Sequence, residues 1–199
     1  MDVNISFDSV GEFVWVLGII AWYVIRYPFE RRAKRVRVVG TQRSPSDSIG
    51  LAAAVLGMAI IPAFCIITNV PRAADYPSNI WSVGIGTILY GAALWVFRRA
   101  HKELGRNWSI SLEIRERHEL IRSGPYALVR HPMYTSFLLM ALGQLFLLSN
   151  WVAGLAGLIG FSILFFGRVD KEERMMLDNF GSQYRAYMET TKRIIPYLY

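Results

Sequence analysis

The chain has 199 residues, of which 53% are hydrophobic and 19% are charged, and its mean hydropathy is +0.29. This apolar fraction exceeds the roughly 45–50% of soluble globular proteins and is concentrated in long runs, which indicates an integral membrane protein. The net charge of +7 does not indicate nucleic-acid binding, because the basic residues cluster at the ends of the apolar runs. The single cysteine, Cys65, lies inside such a run and excludes a disulfide framework.

Three apolar runs in the first half predict membrane helices at about residues 10–27, 47–69 and 80–97. Basic residues follow the first run instead of preceding it, and no cleavage site of small residues is present. We therefore predict an uncleaved helix and not a secretion signal. Pro62 predicts a kink in the second helix, with neighbouring groups satisfying the freed backbone.

The second half begins with the polar segment 98–131, followed by apolar runs at about 132–148 and 151–167. Only Ser149 and Asn150 separate these runs, which predicts a tight antiparallel hairpin. Each run is near the minimum of roughly 17 residues for a span, so their full crossing of the bilayer stays open. Residues 168–199 are polar, with apolar residues at helical spacing.

These elements predict an all-α integral membrane protein with about five transmembrane helices and a C-terminal helical hairpin. We expect one domain over 1–199, with three N-terminal helices in 1–97 and a cofactor-binding, catalytic region in 98–199. The segments 26–43, 98–131 and 168–199 hold 21 of the 22 Lys and Arg residues. The positive-inside rule then predicts an inner (cell) membrane protein with its N-terminus outside and its C-terminus in the cytoplasm.

The polar residues converge at the open end of the hairpin. Pro132 is typical of the first turn of a helix, whose free N–H groups favour an anion. Arg130 and His131 immediately precede it. If the last helix continues past the apolar run, Arg168 and Glu172 share one face and lie close to both residues. This pattern predicts a cytoplasmic pocket for a carboxylate or a nucleotide-like ligand, although Arg and Glu at helix ends also serve as membrane anchors.

Other chemistry-bearing residues receive plainer interpretations. Histidines 101, 118 and 131 lack the spacing of metal ligands, so we expect no metal site. We expect His101 to lie at the membrane interface. Met133, Met175 and Met176 are expected to serve packing.

A set of motifs in residues 104–197 resembles the isoprenylcysteine carboxyl methyltransferase and phospholipid N-methyltransferase superfamily. They are Leu104-Gly105-Arg106-Asn107-Trp108-Ser109, Gly124-Pro125-Tyr126, Arg130-His131-Pro132-Met133-Tyr134, Glu172-Glu173, Phe180-Gly181 with Tyr184 and Tyr187, and Ile195-Pro196-Tyr197. They occur in the order and spacing of the family. The compact length and the lack of eukaryotic targeting signals favour a prokaryotic member.

The resemblance implies a methyltransferase that uses S-adenosylmethionine, releases S-adenosylhomocysteine, and has no Rossmann domain. The chain indeed has no Gly-x-Gly-x-x-Gly after a strand-like run. Carried onto matching positions, the cofactor-binding residues are His118, Glu119, Leu120, Ile121, Tyr126, Arg130, His131, Pro132, Met133, Tyr134 and Glu172. Arg168 and Glu172 are the implied catalytic residues, and Arg168 faces the methyl acceptor.

The implied acceptor is lipophilic and enters from the bilayer among the membrane lipids. It is either the carboxylate of a prenylated or similar lipid thiol or acid, or a phospholipid amine. An amine would need a base, for which Glu172 or Glu173 are candidates. Ser136 stands where many family members have glycine, which would narrow the space beside the cofactor.

Two other functions remain open from the residues. A membrane reductase of the steroid or sterol reductase type would bind NADPH with a similar C-terminal region. Those proteins usually carry Asn before the Tyr, where this chain has Met133. A non-catalytic membrane scaffold or transporter subunit would need none of the cytoplasmic cluster. The oligomeric state is left open.

Overall fold

In a computed structural model of the chain, the residues described are 6–33, 38–41, 45–105, 108, 113–115 and 119–199. They form the helices α1 Phe7–Ala33, α2 Pro45–Val55, α3 Ile61–Thr68, α4 Ile80–Leu104, α5 Pro132–Leu147, α6 Trp151–Phe180 and α7 Ser182–Thr190. Two short strands, β1 Val38–Thr41 and β2 Glu113–Arg115, pair antiparallel with a register irregularity between Val38 and Gly40. The predicted helical membrane fold is confirmed, and the small two-stranded sheet is an addition to it.

Four helices within the described part of the chain are long and apolar enough to cross a membrane: α1, the combined helix Asp47–Thr68, α4 and α6. The fifth predicted span corresponds to α5, which has 16 residues. At 1.5 Å per residue α5 is about 24 Å long, shorter than a hydrocarbon core of roughly 30 Å. By contrast, α6 has 30 residues and continues well past the apolar run.

The helices pack around the C-terminal hairpin. α4 packs against α5 and α1, α2 packs against α6, and α5 packs against α6. The hairpin turn is as short as predicted, because the Asn150 side chain accepts hydrogen bonds from the backbone N–H groups of Val152 and Ala153 and starts α6 at once. Among the described residues, α1 and α2 do not pack closely against each other.

Small residues bring α6 close to the second membrane helix. A Cβ atom on Gly57 would overlap the carbonyl oxygen of Ala156, and one on Gly160 would overlap that of Ala53. Such close backbone approach is the common way in which membrane helices associate, since burial from lipid provides no hydrophobic driving force.

The predicted irregularity at Pro62 takes the form of a π turn, Leu56–Ile60, between α2 and α3. In this turn the N–H of Ile61 bonds the carbonyl of Leu56. The next carbonyl, that of Gly57, would need the N–H of residue 62, which proline lacks. The Gln144 amide supplies the missing donor at 3.0 Å, so a neighbouring helix satisfies the freed backbone, as predicted.

The C-terminal segment returns to the start of α5. Gly181, with φ of 50°, ends α6 and separates it from α7. After α7, the backbone N–H groups of Arg130 and His131 bond the carbonyls of Lys192 and Arg193 at 2.7 and 2.9 Å. This pairing fixes the residues just before α5 against the end of the chain.

Candidate active site

A cavity of about 420 Å³ lies where α5 begins and the polar half of α6 passes it. This volume falls within the roughly 300–1,000 Å³ of small-molecule sites. Side chains from both halves of the chain line it. Its polar end includes Glu119, Tyr126, Arg130, His131, Tyr134, Arg168 and Glu172.

His131 lies between two carboxylates at the polar end. Its Nδ1 is 3.4 Å from Oε2 of Glu172, and its Nε2 is 3.3 Å from Oε1 of Glu173. Burial acts to lower the pKa of His131, but the hydrogen bonds and charges of Glu172 and Glu173 outweigh it and raise the pKa above its usual 6.5. The imidazole is therefore held in its protonated form to higher pH than in an unfolded chain.

Glu172 also meets Arg168, one helical turn earlier. The Nε of Arg168 donates a hydrogen bond of 3.1 Å to Oε1 of Glu172. The predicted shared face of these two residues is confirmed, because α6 is continuous through them. Arg168 is only 7% exposed, so it is buried within the protein and does not extend its charge into water as a membrane anchor would.

Glu173 is held by two arginines and lies outside the described lining of the cavity. Arg130 donates to Oε1 from Nε at 2.9 Å and from Nη2 at 2.8 Å. Arg193 donates to Oε2 from Nε at 3.1 Å and from Nη2 at 2.7 Å. This cluster joins the start of α5, the middle of α6 and the C-terminal segment.

Tyrosines close the site from the side of the 3₁₀ turn Gly124–Ala127. Tyr126 is buried, and its carbonyl oxygen accepts a hydrogen bond from the Tyr187 hydroxyl. Burial raises the pKa of Tyr126 well above its ordinary value and that of Tyr187 to about 12. Both phenols therefore stay neutral at physiological pH.

The other end of the cavity is apolar and comes from the N-terminal helices and α5. It is lined by Ile19 and Trp22 of α1, Leu51 and Ala54 of α2, Met58 of the π turn, and Met140 of α5. The cavity thus joins a polar cluster to an apolar wall, much of which comes from helices long and apolar enough to cross a membrane.

The structure brings most of the predicted site residues together. Glu119, Leu120, Ile121, Tyr126, Arg130, His131, Met133, Tyr134, Arg168 and Glu172 all line the cavity. Pro132 is fully buried as the first residue of α5 and is not among the lining residues. His118 falls outside the described residues.

Arg130 lines the cavity but is largely engaged by the protein. Besides Glu173, its Nη1 donates to the carbonyls of Met188 and Thr191. Four of its five N–H donors are thus used within the chain. This arrangement favours a positioning role for Arg130 over direct ligand contact.

Three minor expectations need correction. Ser136 does not narrow the cavity, because it is fully buried and its hydroxyl donates to the Ala93 carbonyl at 2.9 Å. His101, for which the sequence indicated no partner, is fully buried and its ring packs against Phe97 and Trp108. Met133, Met175 and Met176 line the cavity, so they contribute to the site as well as to packing.

Several residues of the site belong to none of the sequence motifs. Arg193 lies 20 residues after Glu173, and their contact depends on the turn at Gly181. Trp22 and Arg26 of α1 line the cavity from a helix far from the motifs. Their only sequence signal is their place near the end of an apolar run.

Comparison with known proteins shows which family the region of this site resembles. Residues 84–178 match the model of the isoprenylcysteine carboxyl methyltransferase (ICMT) family. Over these residues, which are just under half of its length, the chain is similar to this family. The match contains α5, most of α6 and the His131–Glu172 pair, so the predicted resemblance is confirmed.

Individual curated proteins with ICMT names are also similar to the chain. Protein-S-isoprenylcysteine O-methyltransferase A of Arabidopsis thaliana is 31% identical over 114 residues, which cover 57% of this chain and 55% of that protein. The B protein of the same plant is 30% identical over 96 residues, covering 47% and 49%. The chain therefore spans about half the length of these curated relatives.

The fold also has a solved relative, the eukaryotic intramembrane Ras methyltransferase ICMT. The two structures superpose with a TM-score of 0.56 over 96% of this chain and 64% of that one, at 21% sequence identity. At this identity the likeness concerns the fold, and it supports the integral membrane architecture.

Proposed function

We propose that the chain is an S-adenosylmethionine-dependent methyltransferase that esterifies the carboxylate of an S-isoprenylated cysteine or a similar lipophilic acid. The observation that carries this proposal is that one cavity joins the motif residues of α5 and α6 to an apolar wall from α1 and α2. A charged cofactor and a lipophilic acceptor need such a two-sided site. The curated relatives are named for this reaction.

The polar end has donors and acceptors that suit the cofactor. S-adenosylmethionine carries a sulfonium, an amino-acid end and an adenosine. Glu172 suits the ribose or the amine, protonated His131 suits the carboxylate, and Tyr126 suits packing on the adenine. The buried Tyr134 hydroxyl, next to Glu172, lacks a hydrogen-bond partner of good geometry among the described residues, which fits a site that a ligand completes.

The transfer asks the protein mainly for alignment and exclusion of water. When bound, the cofactor supplies a methyl carbon: an acceptor carboxylate oxygen forms the new C–O bond, the C–S electron pair stays on sulfur, and no proton moves. Arg168 would orient the anionic acceptor, and its bond to Glu172 links the acceptor end of the site to the cofactor end.

The state of Glu173 supports a carboxylate acceptor over an amine. An amine has to lose a proton to a base on methylation, and Glu173 was one of the two candidates. Both of its oxygens are bonded to arginines, and its side chain is 5% exposed. Glu172 remains as the other candidate base, but its carboxylate is already engaged in ion pairs with His131 and Arg168.

The acceptor would enter sideways from the bilayer. α1 and α2 are not closely packed against each other, and both contribute apolar residues to the cavity wall. Because the wall combines residues from 1–97 with residues from 98–199, we propose that both parts act as one domain. We further propose the orientation predicted from charge, with the polar end at the cytoplasmic face of the cell membrane.

Ligand-induced stabilisation tests the proposal directly. Thermal unfolding of the detergent-purified protein is measured with S-adenosylmethionine, S-adenosylhomocysteine or NADPH. A ligand at 100 times its Kd stabilises the folded state by about 2.7 kcal/mol. We expect a higher Tm with the first two ligands and no change with NADPH; a shift with NADPH alone would identify a reductase instead.

A further inference from the structure

The end of the cavity formed by α1 and α4 holds an arginine that the family match does not include. Arg26 of α1 lines the cavity, whereas the matched residues begin at 84. Its guanidinium carbon lies 5.3 Å from the centre of the Trp22 ring and 5.4 Å from that of the Trp108 ring. Two indole rings thus fix the position of one cation at the cavity wall.

Arg26 keeps donors for a ligand. Its Nε bonds Glu30 at 3.3 Å, one helical turn along α1. No described residue accepts a hydrogen bond from its Nη1 or Nη2. By comparison, Arg130 uses four of its five donors within the chain and Arg168 is paired with Glu172.

A second unused donor lies beside it. The indole N–H of Trp22, which also lines the cavity, is buried without a hydrogen-bond partner among the described residues. A buried donor without a partner is unfavourable, so a bound acceptor atom would relieve the penalty. The two donors together suit an anionic oxygen pair.

Arg26 is connected to the polar end of the cavity through α4. Trp108, which contacts Arg26, packs against His101 near the end of α4. The 3₁₀ turn that carries Tyr126 also packs against α4. An acceptor whose apolar chain follows the wall of α1 and α2 would therefore bring its head group between Arg26 and the cofactor end.

We propose that Arg26, held by Trp22 and Trp108, is a specificity-determining residue that binds the carboxylate of the lipophilic acceptor. This inference rests on the proposed function for the identity of the acceptor. It assigns Arg26 to selection of an anionic head group, while Arg168, bonded to Glu172, keeps the proposed role of orienting that group toward the cofactor end. A charged bidentate contact gives preference for a carboxylate over a neutral carboxamide of the same shape.

The test compares two probes, N-acetyl-S-farnesylcysteine and its carboxamide. Binding of each to purified protein is measured by thermal shift without cofactor, and methyl transfer to the acid is measured separately. Arg26→Gln removes the charge, and Arg26→Lys keeps the charge without the fork. Glu30→Gln serves as the matched control, because it removes the partner of Arg26 and keeps the guanidinium.

We expect the wild type to bind the acid more tightly than the carboxamide, and Arg26→Gln to lose that preference. In transfer, Arg26→Gln should raise the KM for the acid by about tenfold or more, with a much smaller change in kcat. Arg26→Lys should keep part of the preference and Glu30→Gln all of it. The S-adenosylhomocysteine shift should be unchanged in every variant.

Two results would overturn the inference. One is an Arg26→Gln or Arg26→Lys variant that keeps the full preference for the acid. The other is an equal loss of affinity for acid and carboxamide, which a structural role of Arg26 in packing α1 would produce. A wild type that prefers the acid but transfers no methyl group would leave Arg26 as an anion site and refute the proposed function instead.

Discussion

Glu172 and Glu173 are neighbours in the sequence but meet different partners, because successive residues of a helix point about 100° apart. Glu172 faces the cavity between His131 and Arg168. Glu173 faces the C-terminal segment and binds Arg130 and Arg193. The acidic pair is therefore divided between two places: Glu172 belongs to the proposed ligand site, and Glu173 joins the start of α5 to the C-terminal segment.

Glu172→Gln is expected to remove cofactor binding without unfolding the protein. The amide keeps the shape of the carboxylate but loses its charge and half of its acceptor capacity. The measurement is the Tm shift with S-adenosylhomocysteine, which should fall to near zero. Asp178→Asn, an exposed position on the same helix, is the control and should keep the full shift. An unchanged shift in the Glu172 variant would remove this residue from the site.

The raised pKa of His131 predicts a pH dependence of stability. Because the folded-state pKa lies above the unfolded value, the stabilisation is fully present below about pH 6.5 and is lost as pH rises through the folded pKa. The difference in Tm between the wild type and His131→Gln should therefore shrink between pH 6 and pH 9. A difference that grows with pH would show that neutral histidine is the stabilising form.

For individual residues, the sequence predicts side-chain contacts only where local geometry brings the two residues together. Arg168 and Glu172 are one helical turn apart, and a two-residue hairpin turn brings His131 near them. The contact of Glu173 with Arg193 depends on the positive φ of Gly181, which redirects the chain. No spacing rule predicts that direction.

Among the elements, α5 and α6 form the hairpin that the two-residue turn predicts, but their lengths differ from the apolar runs. α6 continues to Phe180, because nothing in the polar half breaks it before Gly181. α5 is the shorter helix and is buried among its neighbours, with Gln144 in its core. Hydropathy measures the length of an apolar run, but it does not distinguish a helix buried by other helices from one that faces lipid.

Gln144 connects three elements in the membrane region. Its amide donates to the carbonyls of Gly57 and Ala153, and its Oε1 accepts from the Trp15 indole at 3.2 Å. The sequence shows that Pro62 removes a backbone donor from the helix. The residue that replaces this donor, Gln144, lies 82 positions later, and only the fold reveals the contact.

Gln144→Leu should destabilise the protein by about 1–2 kcal/mol, because it leaves the Gly57 carbonyl without a donor. For a chain of this size that corresponds to a fall in Tm of about 2–8 °C. The control is Ser162→Ala, whose hydroxyl donates only to Leu158 of its own helix and whose loss should change little. An equal fall in Tm for the two substitutions would contradict the role of Gln144 in bridging the helices.

For the molecule as a whole, the sequence predicts the membrane class, the hairpin and the polar end of the cavity. It does not predict that α1 and α2 complete the cavity, because their residues carry no motif and their packing is set by small residues such as Gly57 and Gly160. The N-terminal helices are therefore more than a membrane anchor, since they form the wall on which an acceptor chain would lie.

The most direct measurement is methyl transfer by the purified protein in lipid vesicles, with S-adenosylmethionine labelled in its methyl group and N-acetyl-S-farnesylcysteine as acceptor. A carboxyl methyl ester releases its label as methanol in alkali, whereas an N-methyl group does not. We predict labelled, alkali-labile product that disappears in Glu172→Gln. Alkali-stable product from vesicle phospholipid, or no transfer despite a Tm shift with the cofactor, would contradict the assignment of a carboxylate acceptor.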